Sequence, residues 1–235
     1  MQPRRAFRLT TEFFSSRRPL SLATGVGLMV GYAFVSAVMT ATYIGLIIGF
    51  DQLHLSLWGT TINATAPGVI PSVGFAIGDE VFRSGPITGV VLGELGWTLV
   101  KWLVFGLAIF VLTYPFATSG SLRETVVAVA WGAVPLAMSN AVTVAAVSLN
   151  YAAGGPELRG AMDTTVGVGF VTASDLSPIL VVADVVSVLG LIAAVFVWSA
   201  ALVAVRDVEW WQAAILAGLP AVEAFRNAVS SGMVV

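Results

Sequence analysis

The chain has 235 residues, of which 57% are hydrophobic and only 10% are charged. A soluble domain has roughly 25% charged residues and too small an interior to bury so much apolar surface, so lipid must cover part of this chain. The net charge of −2 argues against a nucleic-acid partner, and the absence of cysteine excludes disulfides and thiolate metal sites. We therefore predict an all-α polytopic membrane bundle in a lipid bilayer, with helices at about residues 20–50, 89–113, 125–149, 178–205 and 212–229.

Residues 1–19 form an arginine-rich arm. Five arginines against Glu12 give it a charge of five minus one, or +4. The apolar run that follows is too long for the core of a signal peptide, and no small-residue cleavage site precedes Asp51. We interpret the arm as cytoplasmic, with Phe13 and Phe14 in the headgroup layer. A solvated arm that only sets the topology is the alternative.

The first predicted membrane helix, residues 20–50, contains no charged residue. Two pairs of glycines, Gly27 with Gly31 and Gly45 with Gly49, are spaced four apart, which allows helix backbones to approach closely. We expect these glycines to support packing within the chain; self-association is the alternative.

In the polar-leaning stretch that follows, residues 51–88, prolines argue against one continuous helix. Residues 70–82 are compatible with a short helix on the membrane surface.

The second predicted helix, residues 89–113, carries Glu94 and Lys101 seven residues apart, on the same face. Trp97 and Trp102 are typical of a helix that enters the membrane interface. The two charges either extend to one membrane surface or form a buried functional pair.

A polar turn leads into the third helix, and Ser121 and Glu124 have the spacing of a capping box. Within this helix, Pro135 removes a backbone hydrogen bond and frees the carbonyl of Trp131. Because no water is available there, a neighbour must satisfy that carbonyl, and Gly132 leaves room for one. We expect this helix to bend at residues 131–135 and to be more surrounded by protein than any other helix of the bundle. A lipid-facing proline is the alternative.

The fourth helix is predicted to begin with Ser177 as its cap and Pro178 in its first turn. It contains one ionisable residue at membrane depth, Asp184, which faces the interface or pairs inside the bundle, with Lys101 as one partner. The fifth helix, residues 212–229, is interrupted by Pro220 and follows an aromatic pair at residues 210–211.

The distribution of arginines predicts the topology. Seven arginines fall on one side if the amino terminus is cytoplasmic, and three on the other. This asymmetry follows the positive-inside rule and, with five spans, places the carboxyl terminus outside the cell.

The chain resembles the YIP family, the Ypt/Rab-interacting membrane proteins with five membrane helices and a cytoplasmic amino end. The segments that carry the resemblance are Thr11–Phe14, Gly120–Arg123, Trp131–Pro135 and Trp198 through Val205–Val208. The resemblance covers most of the chain as a pattern of spans and turns. It implies a role in membrane traffic or membrane shaping, which eukaryotic members perform through small GTPases.

The sequence shows no zinc-protease, nucleophile-elbow, P-loop or dinucleotide-binding motif, so we predict no enzymatic activity and no cofactor. We predict a non-catalytic organiser of membrane or partner proteins. The alternative is a subunit of a transporter or channel that uses charges at membrane depth. Its candidate residues are Lys101, Asp184, Glu94 and Glu223.

Overall fold

A computed structural model describes residues 3–47, 52–57, 60–65, 72–77, 80–84, 86–154, 161–163, 168–170 and 177–230. Its helices are α1 (Pro3–Ser15), α2 (Leu22–Ile47), α3 (Pro86–Thr113), α4 (Leu122–Ala152), α5 (Pro178–Arg206) and α6 (Trp210–Ser230). Its strands are β1 (Gln52–Leu57), β2 (Thr60–Thr65), β3 (Ser72–Ile77), β4 (Glu80–Ser84), β5 (Ala161–Asp163) and β6 (Val168–Phe170). The predicted helical membrane bundle is confirmed.

Among the described residues, four helical segments are long and apolar enough to cross a membrane: Leu22–Met39, Leu95–Thr113, Leu122–Asn150 and Pro178–Arg206. They correspond to four of the five predicted spans. The fifth, α6, is helical as predicted, but its apolar part, Trp210–Val222, is shorter than the about 20 residues that a hydrocarbon core requires. A complete fifth crossing therefore stays a prediction.

The most buried of these helices is α4, and the core is built around it. In α4, 61% of the span is buried within the chain, compared with 22% to 39% in the other three. It packs against α2, α3 and α5. The expectation that this helix is the most surrounded by protein is confirmed, and a lipid-facing α4 is wrong.

The two long connections contain short strands that the sequence analysis did not predict. Between α2 and α3, β1 to β4 form an antiparallel sheet in chain order, and Ile77 of β3 pairs with Glu80 of β4. The surface helix expected at residues 70–82 is therefore wrong. Val73, Phe75 and Ile77 alternate with small or polar residues, which is the two-residue period of a strand. Between α4 and α5, β5 and β6 form a second hairpin.

The amino-terminal arm is a helix that packs along α5. Phe14 is only 1% exposed, because it belongs to a buried cluster with Leu20, Val127, Ala128, Ala201, Ala204 and Val205. Nearer the start of α1, the ring of Phe7 meets that of Phe196 edge to face, with 5.6 Å between centroids. Both expectations for the arm are corrected: Phe14 is covered by protein rather than by headgroups, and the arm is not simply solvated.

The first of the two predicted glycine pairs, Gly27 with Gly31, does not support packing against the part of the chain that the structure describes, contrary to expectation. A Cβ atom added at Gly27 or Gly31 would meet nothing within 4 Å. These two glycines therefore leave that face of α2 open, and self-association through it stays a prediction. Gly45 and Gly49 lie outside the residues whose side-chain surroundings are described.

Candidate functional site: contacts that fix α4 and its preceding turn

The turn between α3 and α4, residues 114–121, ends in the predicted capping box. The backbone amide of Glu124 donates to the Ser121 hydroxyl at 3.3 Å, and the amide of Ser121 donates to the Glu124 carboxylate at 3.2 Å. Two of the amides that a helix start leaves unpaired are thus satisfied, because each residue caps the other. This prediction is confirmed.

Arg18 connects the amino-terminal arm to this capping box. Its guanidinium donates to both carboxylate oxygens of Glu124, at 3.2 and 3.3 Å, in a bidentate ion pair. The same guanidinium donates at 3.2 Å to the carbonyl of Ala204, one of the last carbonyls of α5. One side chain therefore joins α4, α5 and the segment before α2, whereas the sequence analysis used Arg18 only to assign topology.

Arg206, the last residue of α5, holds the α3–α4 turn from the other side. It is 3% exposed and donates to the hydroxyl of Thr113 at 3.0 Å and to the carbonyls of Ser119 and Gly120 at 3.1 and 2.7 Å. Its guanidinium also stacks over Phe110, 4.4 Å from the ring centroid. The guanidinium thus supplies donors to the last two carbonyls before the capping box, those of Ser119 and Gly120.

Gly120 allows this close approach. Its φ of +88° is rarely adopted by residues with a side chain, and a Cβ atom there would lie 2.2 Å from the carbonyl oxygen of Val205. Beside it, the Thr118 hydroxyl donates to the carboxylate of Asp207, the residue at the carboxyl-terminal cap of α5. The turn and the end of α5 are therefore built as one unit, which we call the turn end of the bundle.

Gly132 makes room for an indole from α5. A Cβ atom at this position would lie 1.9 Å from Nε1 of Trp198. That nitrogen donates at 2.7 Å to the carbonyl of Val129. The prediction that Gly132 admits a neighbour is confirmed, but the contacted carbonyl belongs to Val129 and not to Trp131.

A similar contact lies farther along the α4–α5 pair, where α5 supplies the glycine and α4 the side chain. Gly190 of α5 faces Ser139 of α4, and a Cβ atom at Gly190 would lie 2.6 Å from the serine side chain and 3.2 Å from the carbonyl of Pro135. Each helix thus presents a glycine to a side chain of the other. This reciprocal arrangement lets α4 and α5 approach closely along much of their length.

A second indole binds the backbone of α4 from α3. Trp102 is 5% exposed, and its Nε1 donates at 2.7 Å to the carbonyl of Val126. Trp102 is therefore covered by protein, whereas Trp97 is exposed, and the position of both at the membrane interface stays a prediction. The two indoles contact α4 carbonyls three residues apart, on neighbouring positions of one helix face.

The ring of Trp131 packs against α1. It makes edge-to-face contacts with Phe13 and Phe14, at centroid distances of 5.4 and 5.7 Å. Contacts of this geometry contribute about 0.5–1.5 kcal/mol beyond burial. Pro135 lies within the continuous helix α4, and the predicted bend there stays a prediction.

Asp184 is 1% exposed and lies on a polar face of α5 within the span. One turn farther along the same face, the Ser187 hydroxyl is 3.1 Å from that of Thr143 in α4. Of the two environments expected for Asp184, the interior of the bundle is confirmed.

Ser177 begins α5 as predicted, but its hydroxyl donates to Asn150 at 2.9 Å and does not cap the helix.

Lys101 is half-buried at the wall of a cavity between the helices. Its pairing with Asp184 stays a prediction. The side chains of Glu94 and Glu223 lie outside those that the structure describes. Among the described residues, no group of three or more His, Asp or Glu side chains could hold a metal ion.

Together, these contacts fix α1, α3 and α5 around α4 and rigidify the turn end.

Comparison of the chain with protein-family models, with curated proteins and with solved structures found no match.

Proposed function

We propose that the chain is a non-catalytic organiser of the membrane, of the YIP type that its sequence resembles, with a membrane-shaping role. The observation that carries this proposal is the docked helix α1, which packs on α4 and α5 through Phe7, Phe13 and Phe14. Because α1 packs along α5 from Phe196 to Val205, it adds width to the half of the bundle next to the turn end and not to the opposite half. A bundle that is wider in one leaflet favours a curved bilayer.

The charges of α1 support a position at a membrane surface. Arg4, Arg5 and Arg8 of α1 and Arg17, two residues after it, are exposed, while the phenylalanine face lies against the bundle. Each arginine near an anionic leaflet contributes about 1 kcal/mol of attraction. These charges support our proposal that the turn end lies in the cytoplasmic leaflet, where anionic lipids concentrate, as the positive-inside rule also predicts.

The topology is tested with reporters. A reporter inserted after Ala117, in the α3–α4 turn, is expected to lie in the cytoplasm, and one fused after Val235 outside the cell. The reason is that five crossings separate the two termini if α6 spans the membrane. If both reporters lie on the cytoplasmic side, the chain has four crossings and α6 remains at the surface.

The shaping role is tested on membrane tubes drawn from giant vesicles that contain anionic lipid. The native chain is expected to be enriched on the narrow tube relative to the flat membrane. The double change Phe7→Gln and Phe13→Gln should reduce this enrichment, because both rings hold α1 against α5 and α4. Fluorescence of a labelled chain on tube and vesicle gives the ratio.

The matched control is Tyr114→Gln with Phe116→Gln, which removes two exposed aromatic rings from the neighbouring turn. This control should retain the native enrichment. Equal enrichment for all three chains, or none for the native chain, would contradict the shaping role.

Transport is the second candidate, because Asp184 is buried within a span beside hydroxyl groups. Transport would replace the organiser proposal if liposomes that contain the native chain show a proton flux and Asp184→Asn abolishes it. The Asp184→Asn chain must retain the native melting temperature for this conclusion. The organiser proposal predicts the same background flux for both chains.

A further inference from the structure

The four-stranded sheet between α2 and α3 has two chemically different faces. Residues paired directly across an antiparallel sheet share a face, and successive residues of a strand alternate between the two faces. The register therefore assigns each residue to a face. On one face, Leu55 of β1 pairs with Ile62 of β2, and Ile62 pairs in turn with Val73 of β3. Phe75 of β3 and Phe82 of β4 form a second apolar pair on this face.

The opposite face of the sheet is mainly polar. His54 of β1 pairs with Asn63 of β2, and Asn63 pairs with Ser72 of β3. Such a division is typical of an antiparallel sheet that has water on one side and an apolar surface on the other. We call the first face the apolar face, and its large hydrophobic residues are Leu53, Leu55, Leu57, Ile62, Val73, Phe75, Ile77 and Phe82. Its polar residues lie at strand ends: Thr60, Glu80 and Ser84.

Short connections tie this sheet to two membrane helices. α2 ends at Ile47 and β1 begins at Gln52, while β4 ends at Ser84 and α3 begins at Pro86. Because each residue extends the chain by at most about 3.5 Å, the first connection reaches about 17 Å and the second about 7 Å. The start of β1 and the end of β4 are therefore held close to the membrane surface that lies opposite the turn end.

The sheet lies beside the span that has the least protein around it. In the described part of the chain, its main contact outside the sheet is that of β3 with α3, and only 22% of the α3 span is buried. α4 and α5 are contacted by another element, β6. A four-stranded sheet is about 15 Å wide, so a single helix about 10 Å wide cannot cover its apolar face. What surrounds α3 at the membrane surface is lipid.

We propose that the sheet lies on the bilayer beside α3, with its apolar face against the lipid and its polar face toward water. A sheet standing upright on the membrane would leave the apolar face in water, whereas a sheet lying on the lipid removes that apolar area from water. The sheet is thus an anchor that fixes the depth of α2 and α3. This surface does not depend on the membrane-shaping role, because the turn end lies at the other end of the bundle.

Spin labels on single cysteines test the arrangement in the full chain. The chain contains no cysteine, so one can be introduced at a time. In phosphatidylcholine nanodiscs, molecular oxygen collides with labels in the lipid, and a water-soluble nickel chelate collides with labels in water. Oxygen collisions should dominate for Leu53→Cys and Leu55→Cys, and nickel collisions for His54→Cys and Ser56→Cys. This alternation follows from the two-residue period of a strand.

Other patterns of collision would overturn the proposal. Nickel collisions at both faces would show that the sheet stands in water. If neither reagent reaches the apolar face, protein covers it, and recovery of oxygen collisions on dilution with unlabelled chain would identify a second copy as the cover. The pair Phe82→Cys and Arg83→Cys repeats the comparison on β4 if a β1 variant fails to fold, which its melting temperature shows.

An added carboxylate tests whether the apolar face holds the sheet on the lipid. In the labelled Leu53→Cys chain, Phe75→Asp should raise nickel collisions to the value measured for His54→Cys, because a charge is costly in lipid. The matched control is Asn63→Asp, which adds the same charge to the polar face and should leave the Leu53→Cys label in lipid. An equal response to the two changes, or none to Phe75→Asp, would overturn the proposal.

Discussion

Replacing Gly132 with alanine is expected to destabilise the bundle by about 3 kcal/mol, through overpacking and a displaced indole hydrogen bond. The added methyl group would overlap Nε1 of Trp198, which lies 1.9 Å from the position of a Cβ atom. The indole cannot move away without losing its bond to the carbonyl of Val129. Thermal unfolding in detergent measures the effect, and Gly132→Leu should impair folding further.

The matched control is Gly96→Ala in α3, because a Cβ atom there would meet nothing within 4 Å. Alanine is the better helix former by about 1 kcal/mol, so this control should unfold at the native temperature or above it. Adding Trp198→Leu to Gly132→Ala should recover part of the loss, since the overlapping indole is then gone. Similar melting temperatures for Gly132→Ala and Gly96→Ala would show that the indole contact does not organise the bundle.

Replacing Arg206 with methionine is expected to cost about 3 kcal/mol and to expose the α3–α4 turn to proteolysis. The change removes the donors to Thr113, Ser119 and Gly120 but keeps an apolar side chain of similar length. Arg206→Lys should recover only part of the stability, because an ammonium group cannot reproduce the planar fork of donors. Melting temperature and the rate of cleavage in the turn are the measurements.

Arg123→Met is the control for this change, because Arg123 is exposed in the first turn of α4. It removes the same charge near the same turn without removing a described buried contact. If Arg123→Met and Arg206→Met lower the melting temperature equally, net charge rather than the buried hydrogen bonds stabilises the turn end.

Features that depend on near neighbours in the chain could be predicted from the sequence. The capping box of Ser121 and Glu124 follows from a spacing of three, and the four apolar spans follow from composition over about 20 residues. Gly132 could be identified as a place of close approach because its small size is a property of the residue itself. The partner that fills the space, Trp198, is 66 positions away and has no local signal.

Other features were missed because one pattern is compatible with two environments. The phenylalanines of α1 suit a headgroup layer and a protein surface equally, and only the folded chain shows that Phe14 is covered by α4 and α5. Trp102 has the composition of an interface anchor, but its indole binds a backbone carbonyl inside the bundle. From the sequence, Arg18 and Arg206 could be used only to assign the topology, because their hydrogen-bond partners are distant in sequence.

The reciprocal glycine contacts between α4 and α5 have a consequence for how the chain enters the membrane. The span of α4 has a mean hydropathy of 1.5, compared with 2.7 for α5, and it carries polar residues such as Ser139 and Thr143 that α5 covers. During synthesis α4 emerges first, when its partner does not yet exist. A helix with these residues partitions into lipid more weakly than α5 does. We therefore expect α4 to be retained at the translocon until α5 arrives, so that the two are released into the bilayer as a pair.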